Sequence, residues 1–166
     1  MEIRILETGD TPLYREIRLE ALRDHPEAFS SSYDEEKNNP IESYENRLNF
    51  AHFNIFGAFI ENKLIGVVTL IKETNMKTKH KAHIVAMYVK PESRKVGAGK
   101  SLMLAAINKA QTIEEIEQIY LTVTSSNVAA KELYQALGFI TYGIDKNGLK
   151  VGSTYFDDEL MVLMFN

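Results

Sequence analysis

The chain has 166 residues, 45% of them hydrophobic, with 19 Lys+Arg against 23 Asp+Glu, a formal charge of −4 and no cysteine. That length and apolar content suit one domain, residues 1–166, with its own core. The absence of cysteine excludes disulfides, thiolate metal sites and a cysteine nucleophile, and the acidic balance argues against a nucleic-acid binder, which usually carries a basic face.

The opening MEIRILETGD lacks a basic and apolar signal pattern, so a cytoplasmic protein is expected. Residues 2–6 alternate apolar and polar and read as a strand. Asp10 or Thr11 caps the following helix, with Pro12 in its first turn, where a missing N–H costs nothing. Tyr14, Ile17, Ala21 and Leu22 give that helix one apolar stripe. Residues 25–39 read as a polar irregular stretch, and a short helix runs from Pro40 to about Ala51. Strands 54–61 and 63–72 are joined by a tight turn at Glu61-Asn62-Lys63. Their longest apolar run, LIGVVTLI, is far below the roughly 20 residues of a membrane helix, so no membrane partner is expected. None of the four histidines, His25, His52, His80 and His83, falls in an HExxH spacing, and no metal is expected.

A β-branched and aromatic strand follows at 82–89, stopped by Pro91. A helix opens at about Gly97, with Met103, Ala106, Ile107 and Ala110 at core spacing. Next come a strand at 118–125, a helix at 127–137 closed by Gly138, and strands at 138–144 and 154–165. Strands leading into helices and back predict an α/β fold, a mixed sheet covered by helices on both faces.

Two segments carry chemistry. RKVGAGKS (94–101) ends like an NTPase phosphate loop, but the pattern GxxxxGK[ST] needs glycine where Arg94 stands, and the next strand holds no acid for Mg²⁺. A phosphate cradle of another kind is expected, because the first N–H groups of a helix are unpaired and partly positive, and Arg94, Lys95 and Lys100 add cations. A solvated basic turn would use the same glycines. In NVAAKELYQALGF (127–139), Asn127 suits a helix N-cap, and Ala130, Leu133, Tyr134 and Leu137 form a stripe in which Tyr134 could be a core aromatic.

VKPESRKVGAG resembles the acetyl-CoA signature of the GNAT N-acetyltransferase family: a strand ending in valine, then [RQ]xxGx[GA] opening a helix. NVAAKELYQALGF matches that family's NxxAxxLYxxxGF at every fixed letter. The resemblance implies a mostly antiparallel sheet of six or seven strands with a splayed central pair. It implies acetyl-CoA as co-substrate, its pyrophosphate held by the N–H groups of Lys95, Val96, Gly97, Ala98, Gly99 and Lys100 beside Arg94. Met87, Tyr88 and Val89 would lie along the pantetheine arm, Asn127 would bond its amide, and Tyr134 would stand near the sulfur as general acid. A thiol has a pKa near ~8.5 and a tyrosine near ~10, so the tyrosine keeps a proton to donate at neutral pH.

The implied reaction moves an acetyl group to a primary amine of a small molecule or peptide by direct attack in a ternary complex, since no cysteine can carry the acyl group. A non-catalytic acyl-CoA sensor of the same fold is the alternative. The acidic clusters 34–36 and 157–159 suit a cationic acceptor. Glu73, His83 and the acids of 34–36 are the candidates for the base. Homodimers are common in the family, and nothing in these residues decides the oligomeric state.

Overall fold

Among the described residues, 1–165 of the computed structural model, seven strands form one sheet in the order β1-β2-β3-β4-β5-β7-β6. They are β1 (Glu2–Ile5), β2 (Phe53–Ile60), β3 (Lys63–Lys72), β4 (Lys81–Val89), β5 (Gln118–Thr124), β6 (Ile140–Val151) and β7 (Thr154–Met164). The helices are α1 (Thr11–Asp24), α2 (Tyr33–Glu36), α3 (Ile41–Asn49), α4 (Ala98–Gln111) and α5 (Val128–Ala136). The turn between β2 and β3 places Glu61 and Asn62 at φ 49° and 63°. Two consecutive left-handed residues twist a two-residue turn the way antiparallel strands twist, which sets the hairpin register.

Each face of the sheet has its own core. Leu102, Met103, Ala106 and Ile107 of α4 and Tyr134 of α5 pack against Phe56, Val68, Ile119 and Met161. On the opposite face Tyr14, Ile17 and Ala21 of α1 and Tyr44 of α3 pack against Ile55, Phe59 and Val67. The apolar stripes read from the spacing of α1 and α4 are buried as expected.

The centre of the sheet is forked. β4 and β5 run parallel and pair only at Lys81↔Gln118, Ala82↔Ile119 and His83↔Tyr120. A bulge accompanies the divergence: β4 slips register against β3 between Val67 and Thr69, and Ala86 sits at φ 53°. An extra residue bends a strand and shifts its facing, so Met87 and Val89 join Ile84 against the α4 core while Tyr88 enters the other.

Three local expectations change. The stretch 25–39 holds a 3₁₀ turn, Pro26–Ala28, and the short α2, closed by a reciprocal cap between Ser32 and Glu35. β6 extends to Val151 instead of ending near 144, because a bulge between Asp145 and Leu149 lets it keep pairing with β7. Asp10 occupies the N-cap of α1, but its carboxylate accepts from Arg4 and from the Glu7 N–H instead of the helix. No described helix is long and apolar enough to cross a membrane.

Candidate active site

The loop entering α4 leaves its donors free. The Arg94 N–H donates to Pro91 and the Ser101 N–H to Gly97. Between them, no N–H from Lys95 to Lys100 has an acceptor among the described residues. Lys95 and Gly97 lie at φ 67° and 83°, and left-handed residues in such a turn curl successive N–H groups into a concave anion site. A Cβ on Gly97 would meet open space, so glycine is required there by the backbone angle and not by crowding. At Gly99 crowding decides, since a Cβ would come 3.2 Å from the Met87 Cε.

Lys95, Val96, Gly97 and Lys100 are exposed, and Ala98 is buried as the residue that seats the helix. Arg94 is a positioning group: its Nε donates to the Val89 carbonyl at 3.0 Å and its Nη2 lies 3.2 Å from the His25 Nε2. Beside the cradle, β4 from Ile84 to Val89 has no ladder to β5, so main-chain groups face the fork. Met87 and Val89 line its α4 side. The Tyr88 side chain points away, its hydroxyl donating to Glu20 at 3.0 Å, and burial with that carboxylate pushes its phenol up. Tyr88 therefore offers the fork only main-chain groups.

Asn127 caps α5: its Oδ1 accepts the Ala130 N–H at 3.2 Å, which leaves the side-chain NH₂ exposed and free to donate. Tyr134 is 7% exposed, tilted against Phe139, and burial pushes its phenol up to about 12. Its hydroxyl has no hydrogen-bond partner among the described residues. It is not enclosed either, because the sealed, unpartnered side-chain polar atoms are Arg15 Nε and Ser125 Oγ. Tyr134 is thus a core ring whose hydroxyl is not completely sealed from solvent.

A cavity of about 690 Å³ lies on the sheet face opposite α4. Thr69, His83 and Tyr120 form its floor, Arg18, Glu36 and Arg47 one wall, and Tyr142, Gly148 and Asp158 the other. His83 joins it with its Nε2 2.8 Å from Glu73 Oε1 and its ring tilted over Tyr120.

The two acidic clusters do not act as units. Asp34 pairs with Lys37, Glu35 caps α2, and Glu36 is buried. Burial opposes the charge on Glu36, but Arg18 at 2.9 Å and Arg47 at 3.2 Å overcome it and hold the carboxyl below the usual range. In the second cluster Asp157 pairs with Lys146 and Glu159 with Lys131. Of this second cluster Asp158 faces the cavity, and it has no ion pair among the described residues. Burial, then Asp145 and Asp157, push its carboxyl up.

Fold and cradle together place a helix N-terminus with unpaired donors beside a forked strand, an arrangement that suits an extended anionic ligand. The chain belongs to the Acetyltransferase (GNAT) family, whose profile matches residues 14–139. Its fold is similar to that of a GNAT-family acetyltransferase from Streptococcus pneumoniae, with TM-score 0.88, 23% identity and 99% of both chains covered. It is also similar to yncA of Salmonella typhimurium, solved with its cofactor acetyl-CoA, with TM-score 0.85, 19% identity, and 100% of this chain and 94% of that one covered. Mycothiol acetyltransferase of Thermobispora bispora is 25% identical over 152 residues, 87% of this chain and 48% of that protein. The chain spans at most about half the length of the curated relatives it matches.

Arg18, Arg47, Tyr120, Tyr142 and Asp158 as a lone acid were not read as site residues. A partial signal existed: Ser32-Tyr33-Asp34-Glu35 has the S-x-x-E spacing of a capping box, which marks the short α2 that carries Glu36. Nothing local announces that Arg18 and Arg47 meet there.

Proposed function

We propose that the protein transfers an acetyl group from acetyl-CoA to a primary amine by direct attack in a ternary complex. One observation carries this reading: the unpaired N–H groups from Lys95 to Lys100 open beside a strand whose edge towards β5 is unpaired from Ile84 to Val89. Pyrophosphate suits the first, and an amide-bearing pantetheine arm suits the second, by the same strand-addition geometry that extended peptides use. The free NH₂ of Asn127 supplies a further donor to that arm. When bound, acetyl-CoA supplies a thioester whose thiolate an amine can displace.

Tyr134 assists that displacement from the α5 side. With its phenol near 12 and a thiol near ~8.5, complete proton transfer to the sulfur is uphill, so the hydroxyl acts as a hydrogen-bond donor to the developing charge. His83, on the cavity floor with its Nε2 against Glu73, accepts the amine proton through solvent.

The test is thermal unfolding with acetyl-CoA, CoA or Mg-ATP at about a hundredfold excess over the dissociation constant, where a specific ligand adds about 2.7 kcal/mol. For a chain of this size, a rise on the order of 5 to 10 °C with both coenzyme forms and none with Mg-ATP supports the cradle. Amine-dependent thiol release then separates an enzyme from an acyl-CoA sensor. A shift with Mg-ATP alone would sink the reading.

A further inference from the structure

The cavity has two poles. On one wall, both Glu36 oxygens are consumed: Oε1 accepts from Arg18 Nη2, and Oε2 from Arg18 Nε and Arg47 Nη1. Arg18 Nη1, Arg47 Nε and Arg47 Nη2 donate to no carboxylate or carbonyl among the described residues. Arg47 also hydrogen-bonds the Tyr14 hydroxyl, which is neutral and compensates no charge. Arg15 approaches the same buried Tyr44 ring that Arg47 covers, with guanidinium carbons 5.9 and 5.2 Å from its centroid. Two guanidinium groups thus share one carboxylate, and this wall keeps a net positive charge with donors to spare.

The opposite wall is its complement. Asp158 and Asp145 face each other across β6 and β7, and neither has a hydrogen bond or ion pair among the described residues. A Cβ on Gly148 would lie 3.0 Å from Asp158 Oδ2 and 2.9 Å from Asp145 Oδ2, so the two carboxylates converge on one point. Like charges directly opposite on paired strands repel, and a cation between them would relieve that repulsion. An ammonium group, one positive charge with three donors, fits two acceptor carboxylates. Asp158 also pairs with Thr124 on β5, one arm of the fork, so an amine held there stands beside the thioester's berth.

We propose that the acceptor is a zwitterion, a primary amine that also carries a carboxylate, with its ammonium end at Asp158 and its carboxylate on the free donors of Arg18 and Arg47. The inference rests on the acetyl-transfer reading for which amine reacts, but not for the two poles themselves. Phe29 and Tyr142, which also line the cavity, favour an apolar or aromatic body. A guanidinium–carboxylate pair is charge-assisted and bidentate, and it discriminates strongly against a ligand that lacks the carboxylate.

The experiment compares matched acceptors on the unaltered protein: L-phenylalanine, L-phenylalaninamide and 2-phenylethylamine, then L-lysine and cadaverine. Each is followed by thiol release with acetyl-CoA and by calorimetric titration with and without CoA. At least one free carboxylate form is expected to exceed its carboxylate-free partners by about tenfold or more, in kcat/KM and in affinity. Arg47→Gln should bring the ratio towards one, and Asp158→Asn should weaken both members of a pair. Because Arg47 also pairs with Glu36, the comparison on the unaltered protein decides if that variant does not fold. Equal or better use of the carboxylate-free amines overturns the proposal, as does the absence of saturable binding by every compound. Carboxylate-dependent binding with no thiol release from any amine would uphold the two poles and defeat the acetyl-transfer reading instead.

Discussion

In the proposed reaction, Tyr134 and His83 take different parts of the proton work because their surroundings differ. A phenol pushed up to about 12 by burial stays protonated throughout the working range, so the rate profile should show no alkaline limb from this residue below pH ~10. Tyr134→Phe is expected to lower kcat by about 10² to 10³ while leaving CoA affinity unchanged, the loss typical for one donor aimed at a developing charge. Steady-state kinetics with a CoA titration checks it, and a variant with the parent kcat would remove Tyr134 from the chemistry. His83 faces the cavity with its other nitrogen engaged by Glu73, the arrangement that orients a basic imidazole. His83→Gln should lower kcat/KM and leave CoA-induced thermal stabilisation intact. A kcat/KM unchanged in the variant would move the base elsewhere.

At the scale of elements, one residue holds two jobs at the start of α5. The Asn127 Oδ1 caps the helix, and the NH₂ on the same side chain is the donor proposed for the pantetheine arm. Asn127→Asp separates them, because a carboxylate caps as well as an amide but cannot donate. The expected outcome is an unchanged melting temperature with a raised KM for acetyl-CoA. Asn127→Ala should lose both, with a stability cost of about 1 kcal/mol. Equal KM values for the parent and Asn127→Asp would leave the residue a cap and nothing more. The same reasoning explains why the segment 94–101 and its helix were legible in sequence. Gly97 and the uncapped start of α4 act through backbone angles and near neighbours, and both appear as letters a few positions apart. The break between β4 and β5 was legible only through family resemblance, since the bulge at Ala86 has no letter of its own.

For the molecule as a whole, stability in acid should follow its buried carboxylates. Glu36 is held low by Arg18 and Arg47 against the cost of burial, and Asp10 is held low by Arg4. A carboxyl depressed in the folded state stabilises fully above its unfolded value, near ~4 for these groups, and loses that contribution as pH falls through the folded value. Asp158, held high, works in the opposite direction and offsets part of the loss. The melting temperature should therefore fall progressively below pH ~4. Glu36→Gln should destabilise the protein at pH 7 by about 3 to 5 kcal/mol, because it leaves two guanidinium groups unpaired, and should flatten the acid slope. Denaturant unfolding at pH 7 and 3.5 checks both, and an unchanged slope would transfer the acid sensitivity to other groups.

Length, the apolar stripes of α1 and α4, the hairpin turn at Glu61-Asn62, the cradle glycines and the two family signatures were determined by the sequence alone. Each depends on sterics or periodicity within a few residues, which neighbouring letters report. Only the tertiary structure decided which charges remain available. Glu36 is silenced by Arg18 and Arg47, while Asp157 and Glu159 are taken by Lys146 and Lys131, so of the two clusters Asp158 is the carboxylate that meets the cavity unpaired among the described residues. Glu73 and His83 become a pair only when the strands around them close. The charge of a site is what remains after pairing, and the partners come from elements that lie apart in the chain and meet only when the sheet and helices assemble.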